Sequence, residues 1–181
     1  MRAFKVLDHA LHSQEKLVAC TRFVTLGGLK SLFTAFMKKG SLKYKKSYAE
    51  FSQQEEDEHV VSILYSLFLN LQDQDHSVNR IVFKFIEDDF EKLHRLLLLH
   101  VEYGQKMLLI QSDNYLDRLD GGLYTLQLLD CIILFLCKLN ADMAERVPLF
   151  LEQLQEQMDP IKFCVQGNTD VSYLIQSMLC R

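Results

Sequence analysis

The chain has 181 residues, enough for one domain with a substantial core, and its 49% apolar and 10% aromatic content is globular rather than disordered. A net charge of −4 argues against a general affinity for nucleic-acid phosphates or anionic lipid, although it leaves room for a local basic patch. Two prolines and seven glycines are too few for a many-turned β sandwich, and the long leucine-rich segments predict an all-α fold.

Residues 3–11 read as a short amphipathic helix with Phe4, Leu7 and Leu11 on one side. Ser13 is the expected cap of a second helix over 14–26, which stops at Gly27–Gly28, a pair suited to a left-handed turn. A third helix over 29–37 carries Leu29, Leu32, Phe33 and Phe36. Composition then shifts. Lys38, Lys39, Lys43, Lys45 and Lys46 crowd a segment that reads as a solvated loop, with a basic localisation signal or an RNA contact as the alternatives. The acids Glu55, Glu56, Asp57 and Glu58 follow, where the first turn of a helix favours negative charge.

Residues 58–71, EHVVSILYSLFLNL, form the most organised stretch. Val60, Ile63, Leu64, Leu67, Phe68 and Leu71 recur at three- and four-residue steps and fall on one side of a helix. Ser62, Ser66 and Asn70 step along another side by fours, with His59 beside them. One stripe is expected in the core, and the polar ladder is expected to face something outside the helix.

After a polar connector, 80–86 reads as a short apolar helix or turn. Asp88 or Asp89 is the expected cap of a long helix to about residue 111, with Phe90, Leu93, Leu97, Val101 and Leu108 as its stripe. Ser112 to Asn114 break the chain, and a helix over 115–139 is nearly apolar all round in its second half, which predicts a central, buried position. Gly121–Gly122 within it permit close packing or a bend. Asn140 ends that helix, 142–158 forms another bent by Pro148, and 171–179 forms a last one. Two regions result: 1–74 with an inserted lysine-rich loop over 39–54, and a helical region over 75–181.

The apolar run of 123–139 is interrupted by Gln127, Asp130 and Lys138, too often for a membrane span. The N-terminal residues carry charges throughout and lack the apolar core of a signal peptide. Five cysteines (Cys20, Cys131, Cys137, Cys164, Cys180) without CxxC spacing read as free thiols in a reducing compartment, not a disulfide frame or zinc site.

Two pieces together resemble an armadillo repeat. FVTLGGLKSLFTAFMKK (23–39) has the pattern of a helix end, a glycine turn and a second helix, and HVVSILYSLFLNL (59–71) resembles the third helix. Five ordered blocks, at 3–11, 26–38, 55–71, 84–103 and 115–127, are similar to the beta-catenin-like family of armadillo-type, spliceosome-associated proteins. The resemblance covers residues 3–138 well and the last forty or so weakly. It implies a nuclear, non-enzymatic α-solenoid linked to the NineTeen complex of the spliceosome, which binds basic, localisation-type segments of splicing factors. It also implies that the chain starts inside an earlier repeat, so that a truncated array exposes an apolar N-terminal face open to self-association.

On that reading Asn70 hydrogen-bonds the backbone of an extended peptide, Ser62 and Ser66 line the groove, and His59 stands at its rim. Glu55, Glu56, Asp57 and Glu58 attract a lysine-rich partner, or else pair with the chain's own lysine loop. Armadillo proteins that grip localisation signals tightly place a Trp one turn before the ladder Asn. Here position 66 is Ser and the chain has no Trp, so a weaker groove is expected. Tyr115, Asp117, Arg118 and Asp120 are expected to be structural, with Arg118 bridging to an acid on a neighbouring helix.

Catalytic, metal and cofactor signatures are absent from the sequence. His9 and His12 are a possible same-face pair without a nearby acid at ligand spacing, His94 and His100 point differently, and Asp88–Asp89 read as a cap. No HExxH, GxSxG, P-loop or dinucleotide fingerprint occurs. The expectation is a protein-binding scaffold without cofactor, without membrane insertion and without direct sequence-specific nucleic-acid binding. An import adaptor for basic signals and a carrier of an apolar small molecule around 123–139 are the alternatives.

Overall fold

A computed structural model describes residues 2–38, 53–71, 75–110 and 114–156. Of the loop expected over 39–54, residues 39–52 lie outside the described residues, as do the helix over 171–179, Cys164 and Cys180, while 53–54 belong to a helix, Gln53–Leu71, and not to the loop. Regular structure among the described residues is helical: α1 (Arg2–Leu11), α2 (Lys16–Thr25), α3 (Gly28–Phe36), α4 (Gln53–Leu71), α5 (Asp75–Leu109), α6 (Tyr115–Asp120), α7 (Leu123–Leu139) and α8 (Ala141–Glu156). Two compact units divide the chain, Met1–Leu93 and His94–Arg181.

In the first unit α4 is the central element, with α1, α2 and α3 packed against it. Val60, Val61, Ile63, Leu64, Leu67, Phe68 and Leu71 of α4 are all buried, and they meet Val24 of α2 and Leu29, Leu32, Phe33 and Phe36 of α3 in one core. Phe85 of α5 joins it edge-on, 5.2 Å from the Phe33 ring and 6.3 Å from that of Phe36. Such aromatic pairs add roughly 0.5–1.5 kcal/mol each beyond the area they bury. Gly27, at φ 83, makes the left-handed turn between α2 and α3, a conformation that needs no Cβ.

Three local expectations change. Ser13 does not cap α2, which begins after Glu15 without a side-chain cap; instead the Ser13 N–H closes the turn after α1 by donating to the Ala10 carbonyl. The helix expected over 80–86 starts earlier, at Asp75, and ends at non-helical Glu87–Phe90, beyond which the second helical segment of α5 begins. Asp88, Asp89 and Phe90 have φ of 57, 53 and 63, left-handed where a helix cap would be extended. That turn lays the Asp88 carboxylate 2.8 Å from the ammonium of buried Lys92, with Glu87 shared between Lys92 at 3.7 Å and Lys84 at 2.9 Å. Burying an ammonium requires carboxylates close by, and this turn supplies them.

In the second unit Val101 is buried as its stripe predicts, but Leu108 is exposed, because the last turns of α5 bury Tyr103 and Met107 instead. The expected single helix over 115–139 is two helices separated at Gly121–Gly122. Gly122 has φ 104, and a Cβ there would lie 2.6 Å from Cε1 of buried Tyr103. The α7 helix is buried on nearly every side from Leu123 to Ile133, as its apolar pattern requires. Asn114 caps α6 through Leu116 N–H at 3.1 Å, and Asn140 caps the start of α8 through Met143 N–H at 2.9 Å. Pro148 lies within α8. No described helix is long and apolar enough to cross a membrane.

Candidate functional site

Every residue of the expected partner-binding set lies on α4. Leucine, valine and isoleucine take its core side, so Ser62, Ser66 and Asn70, four residues apart, are carried onto one other side. That side faces α1 and α2 of the same unit. His59 Nδ1 stands 2.9 Å from Asp8 Oδ2, and the Ser62 hydroxyl donates to Asp8 Oδ1 at 2.8 Å. His12 Nδ1 donates to the Asp8 carbonyl at 2.8 Å, and its Nε2 is hydrogen-bonded with the Ser66 hydroxyl at 2.9 Å.

Asn70 stands one turn further along. Its amide donates to the Ser66 carbonyl at 2.7 Å and approaches Cys20 Sγ at 3.9 Å, while the Cys20 thiol donates to the same carbonyl at 3.8 Å. Asn70 therefore satisfies the last turn of its own helix. Ser62 and Ser66 are buried, whereas His59 and Asn70 are half-buried at the edge of the seam.

The acidic run holds lysines of its own chain. Lys5 of α1 pairs with Glu55, and Lys38, just past α3, pairs with Asp57 at 3.1 Å. Gln54 donates to Glu58 at 2.9 Å. Lys38 belongs to the lysine-rich segment expected to pair with this run, and Lys5 of α1 does not. Glu55 and Glu56 sit in the first turn of α4, where they complement the positive end of the helix dipole.

Asp8, His12 and Cys20 are the residues that sequence reasoning left out of this site. The only local signal for them is that a ladder of Ser, Ser and Asn, once buried, requires polar partners.

Ser66, His12 and Asp8 stand in the order of a hydrolytic triad. The rest of that machinery is missing. Ser66 is 1% exposed, within a continuous helix, so a substrate carbonyl has no approach and the surrounding backbone N–H groups serve the helix, not an oxyanion. Among the described residues no group of three or more His, Cys, Asp or Glu side chains is arranged to hold a metal. The three described cysteines are free; burial, with Asp130 beside it, pushes the Cys131 thiol up to about 11, and burial also raises Cys20 and Cys137. Thiols held protonated in this way are poor nucleophiles.

Around the Tyr115 block, Arg118 forms no ion pair among the described residues, so the expected bridge is absent there. Tyr115, Asp117 and Asp120 are exposed, and the block's structural contribution comes from the Asn114 cap and the glycines behind it.

A family model described as catenin-beta-like, Arm-motif containing and nuclear matches residues 1–166. The chain is 38% identical over 160 residues to human beta-catenin-like protein 1, covering 76% of this chain, and 37% identical over 160 residues to its Bos taurus counterpart. A beta-catenin-like protein 1 homologue of Schizosaccharomyces pombe is 28% identical over 172 residues, 87% of this chain. In each comparison the chain spans 28% of the relative's length.

Proposed function

The chain belongs to the catenin-beta-like, Arm-motif-containing nuclear family, and from that premise we propose that it is a non-enzymatic, armadillo-like nuclear scaffold that docks basic, localisation-type segments of splicing factors in the NineTeen complex. The observation that carries the docking part is the placement of Glu55, Glu56, Asp57 and Glu58 at the start of the same helix that bears His59, Ser62, Ser66 and Asn70. Carboxylates at one end attract a lysine-rich segment, and half-buried His59 and Asn70 at the edge of the seam are the polar side chains placed to meet its backbone. Lys5 on Glu55 and Lys38 on Asp57 already illustrate the lysine–carboxylate chemistry such a segment would use.

The scaffold reading is tested by affinity purification of the tagged chain from nuclear extract. NineTeen-complex proteins are the expected co-purifying species. Recovery of import receptors alone would turn the assignment to an import adaptor, and recovery of neither would remove the splicing role.

A further inference from the structure

We propose that the turn at Glu87–Phe90 is a two-state joint in α5: while left-handed it keeps Phe90 inside, and when the helix runs on unbroken Phe90 is carried to the surface. The inference is independent of the docking reading above. Asp88, Asp89 and Phe90 stand at φ 57, 53 and 63, three left-handed residues in succession, each with a Cβ. Backbone of that kind is strained and persists only where its surroundings over-determine it. The sequence itself does not demand a break. Residues 75–103 contain no glycine and no proline, and KFIEDDFEKLHR (84–95) is made of residues that a helix interior accepts.

The period of the helix supplies the reason for the turn. Val78, Ile81, Val82 and Phe85 are buried at three- and four-residue steps. A right-handed helix continued at that step brings Asp88, Asp89 and Lys92 onto the same buried side, and it sets Phe90 on the opposite side with Phe83 and Ile86. Two carboxylates would then enter the core and an aromatic ring would leave it. The left-handed turn reverses that exchange. Phe90 is buried at 7% exposure, Asp88 and Asp89 are exposed, and the Asp88 carboxylate still reaches Lys92 at 2.8 Å.

Strain on three residues is thus set against the cost of burying two carboxylates. Removing negative charge from positions 88 and 89 favours the continuous form, because burial there becomes less costly while the backbone strain of the turn stays. In the continuous form Phe83, already 64% exposed, is joined by Ile86 and Phe90 at three- and four-residue steps as one apolar strip. The turn therefore holds back an apolar surface, and the charge at two aspartates sets whether it is shown.

The test places para-fluorophenylalanine at position 90 of the whole chain and follows its fluorine resonance, whose shift between light and heavy water distinguishes a buried ring from one in solvent. Asp88→Ala/Asp89→Ala is compared with Asp88→Gly/Asp89→Gly. Both variants lose the same carboxylates and the same contact to Lys92. They differ in that glycine adopts left-handed backbone freely, whereas alanine favours the right-handed helix. In the intact chain the buried resonance is expected to dominate, with the exposed one at or below roughly a tenth of the signal. In the alanine variant the exposed resonance is expected to become the larger, and the glycine variant is expected to keep the buried one. A buried resonance in both variants overturns the joint. An exposed resonance in both also overturns it, because the contact to Lys92 alone would then hold the turn. Loss of the helix signal of either variant in far-UV circular dichroism counts against it equally, since both states are proposed as folded.

Discussion

His100 and Asp130 form the most consequential single contact in the second unit. Their Nε2 and Oδ1 atoms are 2.7 Å apart, and both residues are buried. Taking two ionisable groups out of water is costly, and their attraction returns that cost only while both are present. Asp130→Ala is therefore expected to destabilise the protein by about 3–5 kcal/mol, read from urea unfolding, because it removes one side of a buried pair. Replacing both by leucine should be close to neutral. A double variant as unstable as Asp130→Ala would show that the pair does more than satisfy itself. In the sequence Asp130 is only an interruption of an apolar run, and His100 one more residue on a long helix. Nothing local joins them, since α5 and α7 bring them together across thirty residues of chain.

Elements show the same division. Periodicity placed α1 and α3 to within a residue or two and identified the buried face of α4. Breaks were harder. Gly121–Gly122 signalled an interruption but not its depth, which follows from the positive φ of Gly122 and the buried Tyr103 ring against it. Asp88 and Asp89 carry the composition of a helix cap but adopt a left-handed turn, which brings the Asp88 carboxylate 2.8 Å from the ammonium of buried Lys92. Left-handed backbone costs a residue with a Cβ roughly 1–2 kcal/mol. Asp89→Gly should thus be more stable than Asp89→Val by about 1–2 kcal/mol in urea denaturation, a comparison in which the lost carboxylate cancels. Equal stabilities would mean that the turn is not strained at Asp89.

For the molecule as a whole, the first unit leaves apolar side chains in solvent on α1 and α2, namely Val6, Leu17 and Val18. Exposed apolar side chains of this kind favour association with another surface. Self-association is expected at high protein concentration, detected by sedimentation velocity, and Val18→Glu should reduce it. A concentration-independent monomer would argue that α1 and α2 close this side sufficiently by themselves. Composition and hydrophobic period alone pointed to an all-helical fold, to one buried stripe on α4 and a central, buried α7, and to the residues that form the polar ladder. These are properties of one helix at a time, written in spacings of three and four residues. What that ladder touches was decided only by tertiary structure, because Asp8 and His12 lie about fifty residues away from their partners on α4. Local periodicity states that a polar side needs a partner; the packing of α1 against α4 determines which residues meet that need.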